Sequence, residues 1–375
     1  MIKKKLTFLV INKNVIDVFL LNHIKLLTKF YDISFISPIY SINLKIDNNF
    51  YSNKFIKMNR GLNPFNFFSC FLILLFHIKK NSNNLYISIH PKNGILLSIC
   101  KFFLKFKSLH IITGQIWVNK KMLNKIILKS LDHLIFKKID FLLSDSLSQI
   151  SFLKKQKFFY NFECLNNGSI CGVDTKKFKK SKLNKLSFQK KYNLSSNSKF
   201  ILYVGRVNIS KGINLLLKAF DHIIQKNDNY YLVIVGSDEI NFNILLNQYS
   251  PNLKFKVLKF DHCSNVSFYY SIADIFCLPS YREGFGLSVI EASASRLPVV
   301  VSDIYGLHDS MIDKVTGLKF KVGNYNSLFN KLNYLIRHPK KLEQFGNQGL
   351  DFVKKNYDCK DVTNFLLKYI NKISF

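Results

Sequence analysis

No Asp-x-Asp triplet occurs anywhere in the 375 residues, and no His/Cys cluster has zinc-site spacing, so neither common short metal motif is present. The seven cysteines are odd in number and form no Cys-x-x-Cys pair, which excludes a disulfide framework and reads as buried thiols in a reducing compartment. Long apolar runs are missing too. The most membrane-like stretch, Phe65 to Ile78, falls well short of the roughly 20 apolar residues that span a bilayer and carries Asn66, Ser69 and His77. Met1-Ile-Lys-Lys-Lys followed by Leu6 to Ile11 imitates a signal peptide, but the run breaks at Asn12-Lys-Asn14 and reads as a first strand. No internal repeat stands out. Acid is scarce: 23 Asp+Glu face 55 Lys+Arg, a net charge of +32.

That charge implies an anionic partner: nucleic acid, an acidic membrane surface or phosphorylated ligands. It is uneven, with 29 Lys+Arg against 8 Asp+Glu in residues 1–180 and 26 against 15 in the rest. Bulk composition is a competing source, since Lys, Asn, Ile and Phe are abundant throughout while Ala and Gly are scarce. A basic nucleic-acid-binding protein without catalysis is the reading from another class, yet the charge is dispersed and no RNA-recognition sheet motif or zinc finger accompanies it.

The length suits two domains with hydrophobic cores of their own, and 48% hydrophobic residues fits a globular chain. Short apolar runs at Leu6–Ile11, Ile33–Ile36, Leu85–Ile89 and His110–Thr113 alternate with helical stretches such as Val15–Phe30, Phe67–Ile78 and Asn93–Phe106. This is the sequence form of βαβ units around a parallel sheet. In Met122 to Lys138 the residues Leu123, Ile126, Ile127, Leu131, Leu134 and Ile135 keep helical spacing and predict a core-facing stripe, with Lys121, Lys125 and Lys129 opposite. Residues 181–199 are polar, lack patterning and read as a linker, after which Phe200–Gly205, Tyr231–Gly236, Phe255–Phe260 and Asp274–Pro279 resume the strands.

Two loops of the second half carry chemistry. Gly205-Arg-Val-Asn-Ile-Ser-Lys-Gly212 joins a buried strand to a helix and holds Arg206 and Lys211, a fork of donors and a compact charge suited to a diphosphate. Leu278-Pro-Ser-Tyr-Arg-Glu-Gly-Phe-Gly-Leu-Ser-Val-Ile-Glu-Ala292 is again strand, loop, helix. Gly284 and Gly286 let backbone N–H groups approach a ligand, and the new helix favours an anion at its N-terminus. Glu291 lies one turn into that helix with its side chain leaning back, so it and Glu283 can face one ligand. Two lone glutamates would otherwise be a cap and a surface residue.

The second loop resembles the paired-glutamate signature of retaining glycosyltransferases of family 4, and Gly205-Arg206…Lys211-Gly212 resembles that family's phosphate-binding element. The resemblance implies an α/β GT-B fold: two facing Rossmann-like domains with parallel sheets and a C-terminal helix crossing back to the first. It implies domains at 1–180 and 200–356, a linker at 181–199 and a returning helix at 357–375. In the family the glycine-rich turn meets the donor diphosphate, the first glutamate the sugar hydroxyls and the second the ribose. Carried over, Glu283, Arg206 and Lys211 are the catalytic set, and Gly284, Phe285, Gly286, Leu287, Glu291, Phe260 and Gly205 bind donor, Phe260 as a base contact.

Ile112-Thr-Gly-Gln-Ile-Trp-Val-Asn119 resembles a Gly-Gln-(Val/Ile)-Trp segment of family members in bacterial surface-polysaccharide assembly. Thr113 stands where many members carry a histidine, so Thr113, Gly114 and Gln115 inherit the first-domain cleft position, with His90 beside them as a candidate that is as readily structural. Asn166 to Phe178 resembles the family's Gly-Val-Asp-x-x-x-Phe stretch and suits a hinge. The resemblance is weak near the N-terminus, where Asn12-Lys-Asn14 replaces the glycines of many relatives. The implied partners are a nucleotide-sugar, UDP-linked first, and a lipid-linked or surface glycan such as O-antigen, with no cofactor and no metal. The basic-aromatic runs Lys101–Lys107 and Lys154–Tyr160 would dock the chain on anionic lipid at the cytoplasmic face. A nucleotide-sugar epimerase of the same fold is the alternative inside the fold.

Overall fold

The computed structural model describes residues 3–11, 15–37, 45–46, 49–50, 53–55 and 64–373. Asn12-Lys-Asn14 lies outside the described residues. The chain divides into two compact units, residues 1–172 with 359–375, and residues 173–358.

The first unit is built on a seven-stranded sheet of β1 Lys5–Leu9, β2 Asp32–Ser37, β5 Asn53–Phe55, β6 Leu85–Ser88, β7 Lys107–Ile112, β8 Phe141–Ser144 and β9 Phe162–Cys164. Its order is β5-β2-β1-β6-β7-β8-β9 and every pairing is parallel. β3 Lys45–Ile46 and β4 Asn49–Phe50 form a separate antiparallel pair. Strands covered on both faces need apolar residues at every position, not every second one, and Leu85-Tyr-Ile-Ser88 is buried throughout. The last helix, Cys359–Ile373, returns from the second unit to this one. It buries Val362, Leu366, Ile370 and Ile373, packs on the helix Leu21–Leu27, and is pinned by Tyr31 to Asn371 and by Lys107 Nζ to the Ile373 carbonyl at 3.2 Å.

Trp117 anchors the helix Met122–Lys138. Its Nε1 donates to Asp132 Oδ2 at 2.7 Å, and its ring stacks on Phe152 and Phe158 with centroids 5.6 and 6.1 Å away. Burial pushes the Asp132 carboxyl up to about 6, and the indole N–H opposes that shift by favouring the carboxylate. The helix is not the core-facing stripe that its spacing predicts. Ile135 and Phe136 are buried, but Leu123, Ile126 and Ile127 are 71, 52 and 51% exposed and Met122 is 80% exposed. Only the half beyond Trp117's partner Asp132 has something to pack against; the first two turns stand clear of the core.

The second unit holds a six-stranded parallel sheet of β10 Lys199–Val204, β11 Tyr230–Val235, β12 Val257–Phe260, β13 Ile275–Leu278, β14 Val299–Ser302 and β15 Gly317–Phe320, in the order β12-β11-β10-β13-β14-β15. The chain starts at β10 and builds outward to β12, then crosses back to β13 on the other side. β10 and β13 therefore flank the point where strand order reverses, and the loops leaving their carboxyl ends diverge to form a crevice. The helix Ile213–Ile224 buries Ile213, Leu216, Leu217, Phe220, Ile223 and Ile224 against the sheet, in the spacing the sequence predicts.

Residues 181–199 are not a linker. Ser181 caps a helix, Lys182–Lys191, by accepting from the Asn184 N–H at 3.2 Å, and that helix belongs to the second unit. It buries Phe188 against Phe200 and Phe260, and Lys185 Nζ reaches both oxygens of Asp274 at 2.7 Å. The helix's two leucines, Leu183 and Leu186, are exposed, and one buried aromatic is too little periodicity to read.

Candidate active site

Both chemical loops of the second unit leave the carboxyl ends of neighbouring strands, β10 and β13. They are sewn together by backbone, the Tyr281 N–H donating to the Ser210 carbonyl at 3.0 Å. In the first loop Asn208 accepts from the Lys211 N–H at 3.0 Å, closing the turn Ile209–Lys211 and aiming the lysine across the crevice. Lys211 Nζ meets Glu283 Oε1 at 2.6 Å, and Ser280 Oγ donates to the same oxygen at 2.7 Å. The ion pair is shielded, with the two side chains 17 and 13% exposed. A compact ammonium and a carboxylate thus sit together at the switch point.

Arg206, across the same loop, is more open. Its Nη1 lies 3.0 and 3.1 Å from the two oxygens of Glu239, which also accepts from Asn208 Nδ2 at 2.8 Å. Glu239 follows β11 at the same carboxyl edge and was not among the residues the sequence singled out. Its cue is slight: an acidic residue in the loop after a buried strand, legible only once β11 is known to lie beside β10.

Past Glu283, Gly286 adopts φ +80°, a left-handed turn that ordinary residues avoid, and opens the helix Leu287–Ala294. No side chain caps this helix, so the N–H groups of its first turn remain donors for an anion. Phe285 is buried at 5% exposure with its ring 5.1 Å from Tyr357, so it presents backbone and not its ring to the crevice. A third loop supports the site from behind. A Cβ on Gly306 would stand 2.0 Å from the Glu283 carbonyl oxygen and 3.0 Å from that of Gly284. Gly306, also missed in the sequence, fixes the height of the Glu283 loop.

Glu291 is neither a surface residue nor a cap. Its Oε2 accepts from the Tyr270 hydroxyl at 2.8 Å, and burial raises its carboxyl to about 7 against the opposing effects of that bond and of the Lys177 charge. Phe260 ends β12 inside an aromatic cluster, 4.9 Å from Tyr269 and 5.8 Å from Tyr192. The Gly205 N–H donates to the Val235 carbonyl at 3.0 Å, extending the ladder by one residue.

The first-unit candidates are structural in varying degree. His90 caps the helix Pro91–Cys100, its Nδ1 accepting from the Lys92 N–H at 3.2 Å. Thr113 and Gly114 are half-buried. Gln115 turns inward, 2% exposed, its amide 3.2 Å from that of Gln149, which in turn bonds Ser144. A polar side chain after a strand satisfies its donors and acceptors wherever it can, and here the interior supplies them. Among the described residues no group of three or more His, Cys, Asp or Glu is arranged to hold a metal.

Residues 184–352, which contain Arg206, Lys211, Glu239, Glu283, Glu291 and Gly306, match the family model of glycosyl transferases group 1. The second unit is a group 1 glycosyltransferase domain. The capsular polysaccharide biosynthesis glycosyltransferase CapM of Staphylococcus aureus is 30% identical over 202 residues, 52% of this chain and 51% of that protein. The UDP-Gal:alpha-D-GlcNAc-diphosphoundecaprenol alpha-1,3-galactosyltransferase of Escherichia coli is 28% identical over 207 residues, 54 and 51% of the two chains. The chain spans about half the length of these curated relatives. The crystal structure of Anabaena HepE in complex with UDP-glucose superposes with a TM-score of 0.81 over 98% of this chain and 100% of that one, at 14% identity. That likeness shows the GT-B fold.

Proposed function

We propose that the protein is a retaining glycosyltransferase that moves a sugar from a UDP-sugar to a lipid-linked or surface-polysaccharide glycan without a metal ion. The observation that carries this is the Lys211–Glu283 pair at the switch point of the second unit's sheet. In the reaction the bond from the anomeric carbon to the diphosphate breaks, a bond to an acceptor oxygen forms, and the acceptor's proton is released. Lys211, Arg206 and the N–H groups after Gly286 are the donors available to the charge that develops on the leaving diphosphate. Glu283 holds the sugar and Glu291 the ribose.

On this reading Lys211 and Arg206 rest on Glu283 and Glu239 until a diphosphate exchanges for the carboxylates. The names of CapM and of the galactosyltransferase support a glycan acceptor, and that enzyme together with HepE supports a UDP-sugar donor. The family match does not favour a nucleic-acid-binding role or an epimerase. The test is incubation with UDP- and GDP-sugars and a bacterial lipid extract in EDTA. Release of UDP with sugar in the lipid fraction, its anomeric configuration kept, supports the reading; a strict need for added Mg²⁺ or Mn²⁺, or an inverted linkage, contradicts it.

We place the protein at the cytoplasmic face of an anionic membrane, held peripherally. No described helix is long and apolar enough to cross a membrane. The two basic-aromatic runs supply part of the supporting surface: Phe158 and Phe106 are buried, but Phe159 of the Lys154–Tyr160 run is 79% exposed. Phe102 and Phe103 of the Lys101–Lys107 run are 59 and 64% exposed, and the open turns of Met122–Lys138 add Met122, Leu123, Ile126 and Ile127 beside Lys121 and Lys125. Apolar side chains enter the acyl boundary while lysines stay at the headgroups. Replacing both Ile126 and Ile127 by Glu is expected to lower flotation with phosphatidylglycerol vesicles roughly tenfold without unfolding, each methylene withheld from lipid costing about 0.8 kcal/mol. Equal flotation of the variant contradicts this surface.

A further inference from the structure

Tyr270 has no part in the chemistry assigned so far, yet it is one of the largest fully buried side chains of the second unit and its only polar atom points at the site. It lies on the helix Val266–Ile272, and its ring is fixed by Phe178, edge-on at 5.4 Å, and by Phe276 at 5.8 Å. The hydroxyl is 2.8 Å from Glu291 Oε2 and 3.3 Å from the Ser288 carbonyl, both on the helix Leu287–Ala294 that follows the Glu283 loop. Among the described residues nothing hydrogen-bonds the other oxygen, Glu291 Oε1.

We infer that Tyr270 is a positioning residue for the nucleotide: it holds Glu291 by one carboxylate oxygen so that the other is presented, ionised, to the two ribose hydroxyls of the donor. The inference rests on the reading that Glu291 binds the ribose. A carboxylate on a half-buried helix face has two alternatives, to swing toward solvent or to take up a proton. The hydroxyl opposes both, since it restricts the rotamer and, as a donor, favours the charged form. Burial, reinforced by the Glu291 charge, raises the Tyr270 hydroxyl well above its ordinary value, so it stays protonated and a donor across the working range. The charged and titratable groups facing the Glu291 carboxyl are Tyr270 and Lys177. The helix Pro339–Asn356, which also packs on this one, brings Gly349 against Ser293 and no charge. Phe178, the neighbour of Lys177, buttresses the Tyr270 ring, so the segment after residue 173 supports the same carboxylate twice.

The test compares the intact protein with Tyr270→Phe and Glu291→Gln by calorimetric titration of UDP-glucose, whose diphosphate does not itself titrate, from pH 6 to 9. Phe keeps the ring and its aromatic contacts, so the fold is retained. Wild-type binding is expected to strengthen as Glu291 ionises near pH 7. In Tyr270→Phe the carboxyl, stripped of its donor, titrates higher: affinity falls about tenfold at pH 7 and recovers most of that by pH 9, while kcat at saturation is little changed. Glu291→Gln is expected to bind weakly with no pH dependence in this range. A Tyr270→Phe loss that is the same at every pH, or no loss, overturns the positioning role. Full-strength binding by Glu291→Gln overturns instead the ribose reading beneath it.

Discussion

Replacing Glu283 by Ala is expected to lower kcat/KM for sugar transfer by roughly 10²–10³-fold, the size of effect seen when a single preorganised transition-state contact is removed. Binding of UDP is expected to hold or tighten in the same variant. The two outcomes differ in sign because Glu283 occupies Lys211 at 2.6 Å in the unliganded protein, and its removal frees that ammonium for phosphate. Steady-state turnover and a UDP titration on one preparation check both. Equal loss of turnover and of UDP affinity would mean that Glu283 serves the loop's shape and not the sugar.

The second large effect comes from a residue that touches no ligand. Gly306→Ala places a methyl 2.0 Å from the Glu283 carbonyl oxygen, a distance no carbon tolerates, so the Glu283–Gly284 backbone must move by about an ångström. Displacement of that order at a positioned group costs on the order of 10² in rate. Tyr305–Leu307 is a short turn at the sheet's edge and Gly306 there does not adopt a left-handed backbone, so the fold is expected to persist with a Tm a few degrees lower. Turnover is measured beside circular dichroism. Full activity in Gly306→Ala would show that the height of the Glu283 loop is immaterial.

The sheet of the second unit was legible because its strands are buried on both faces. Ile275-Phe-Cys-Leu278 and Val299-Val-Val-Ser302 are apolar without alternation, and glycine-bearing loops follow or flank them. The candidate site was legible where one loop carries its own charged groups, as Arg206 with Lys211 or Glu283 with Glu291. It was not legible where groups arrive from separate strands. Glu239 and Gly306 are ordinary residues in sequence, and only the order β12-β11-β10-β13-β14 brings their loops to the others. Periodicity also overreached: the stripe from Leu123 to Ile135 reports that a helix is amphipathic but not whether protein covers it, and here protein covers only its second half. Residues 181–199 erred the other way, a helix whose single buried ring, Phe188, leaves almost no pattern. The inward turn of Gln115 was not legible, because a polar residue after a strand can satisfy itself on a buried partner such as Gln149 as readily as on a ligand.

The central claim is that the β10 and β13 loops form one metal-free pocket for a nucleoside diphosphate, and calorimetric titration of UDP in EDTA tests it most directly. The wild type is expected to bind with a micromolar Kd, and Lys211→Ala to weaken that at least tenfold, equivalent to about 1.4 kcal/mol, since a charge-assisted contact in a shielded crevice is lost. Unaltered affinity in Lys211→Ala, or binding that appears only when a divalent cation is added, would contradict the account.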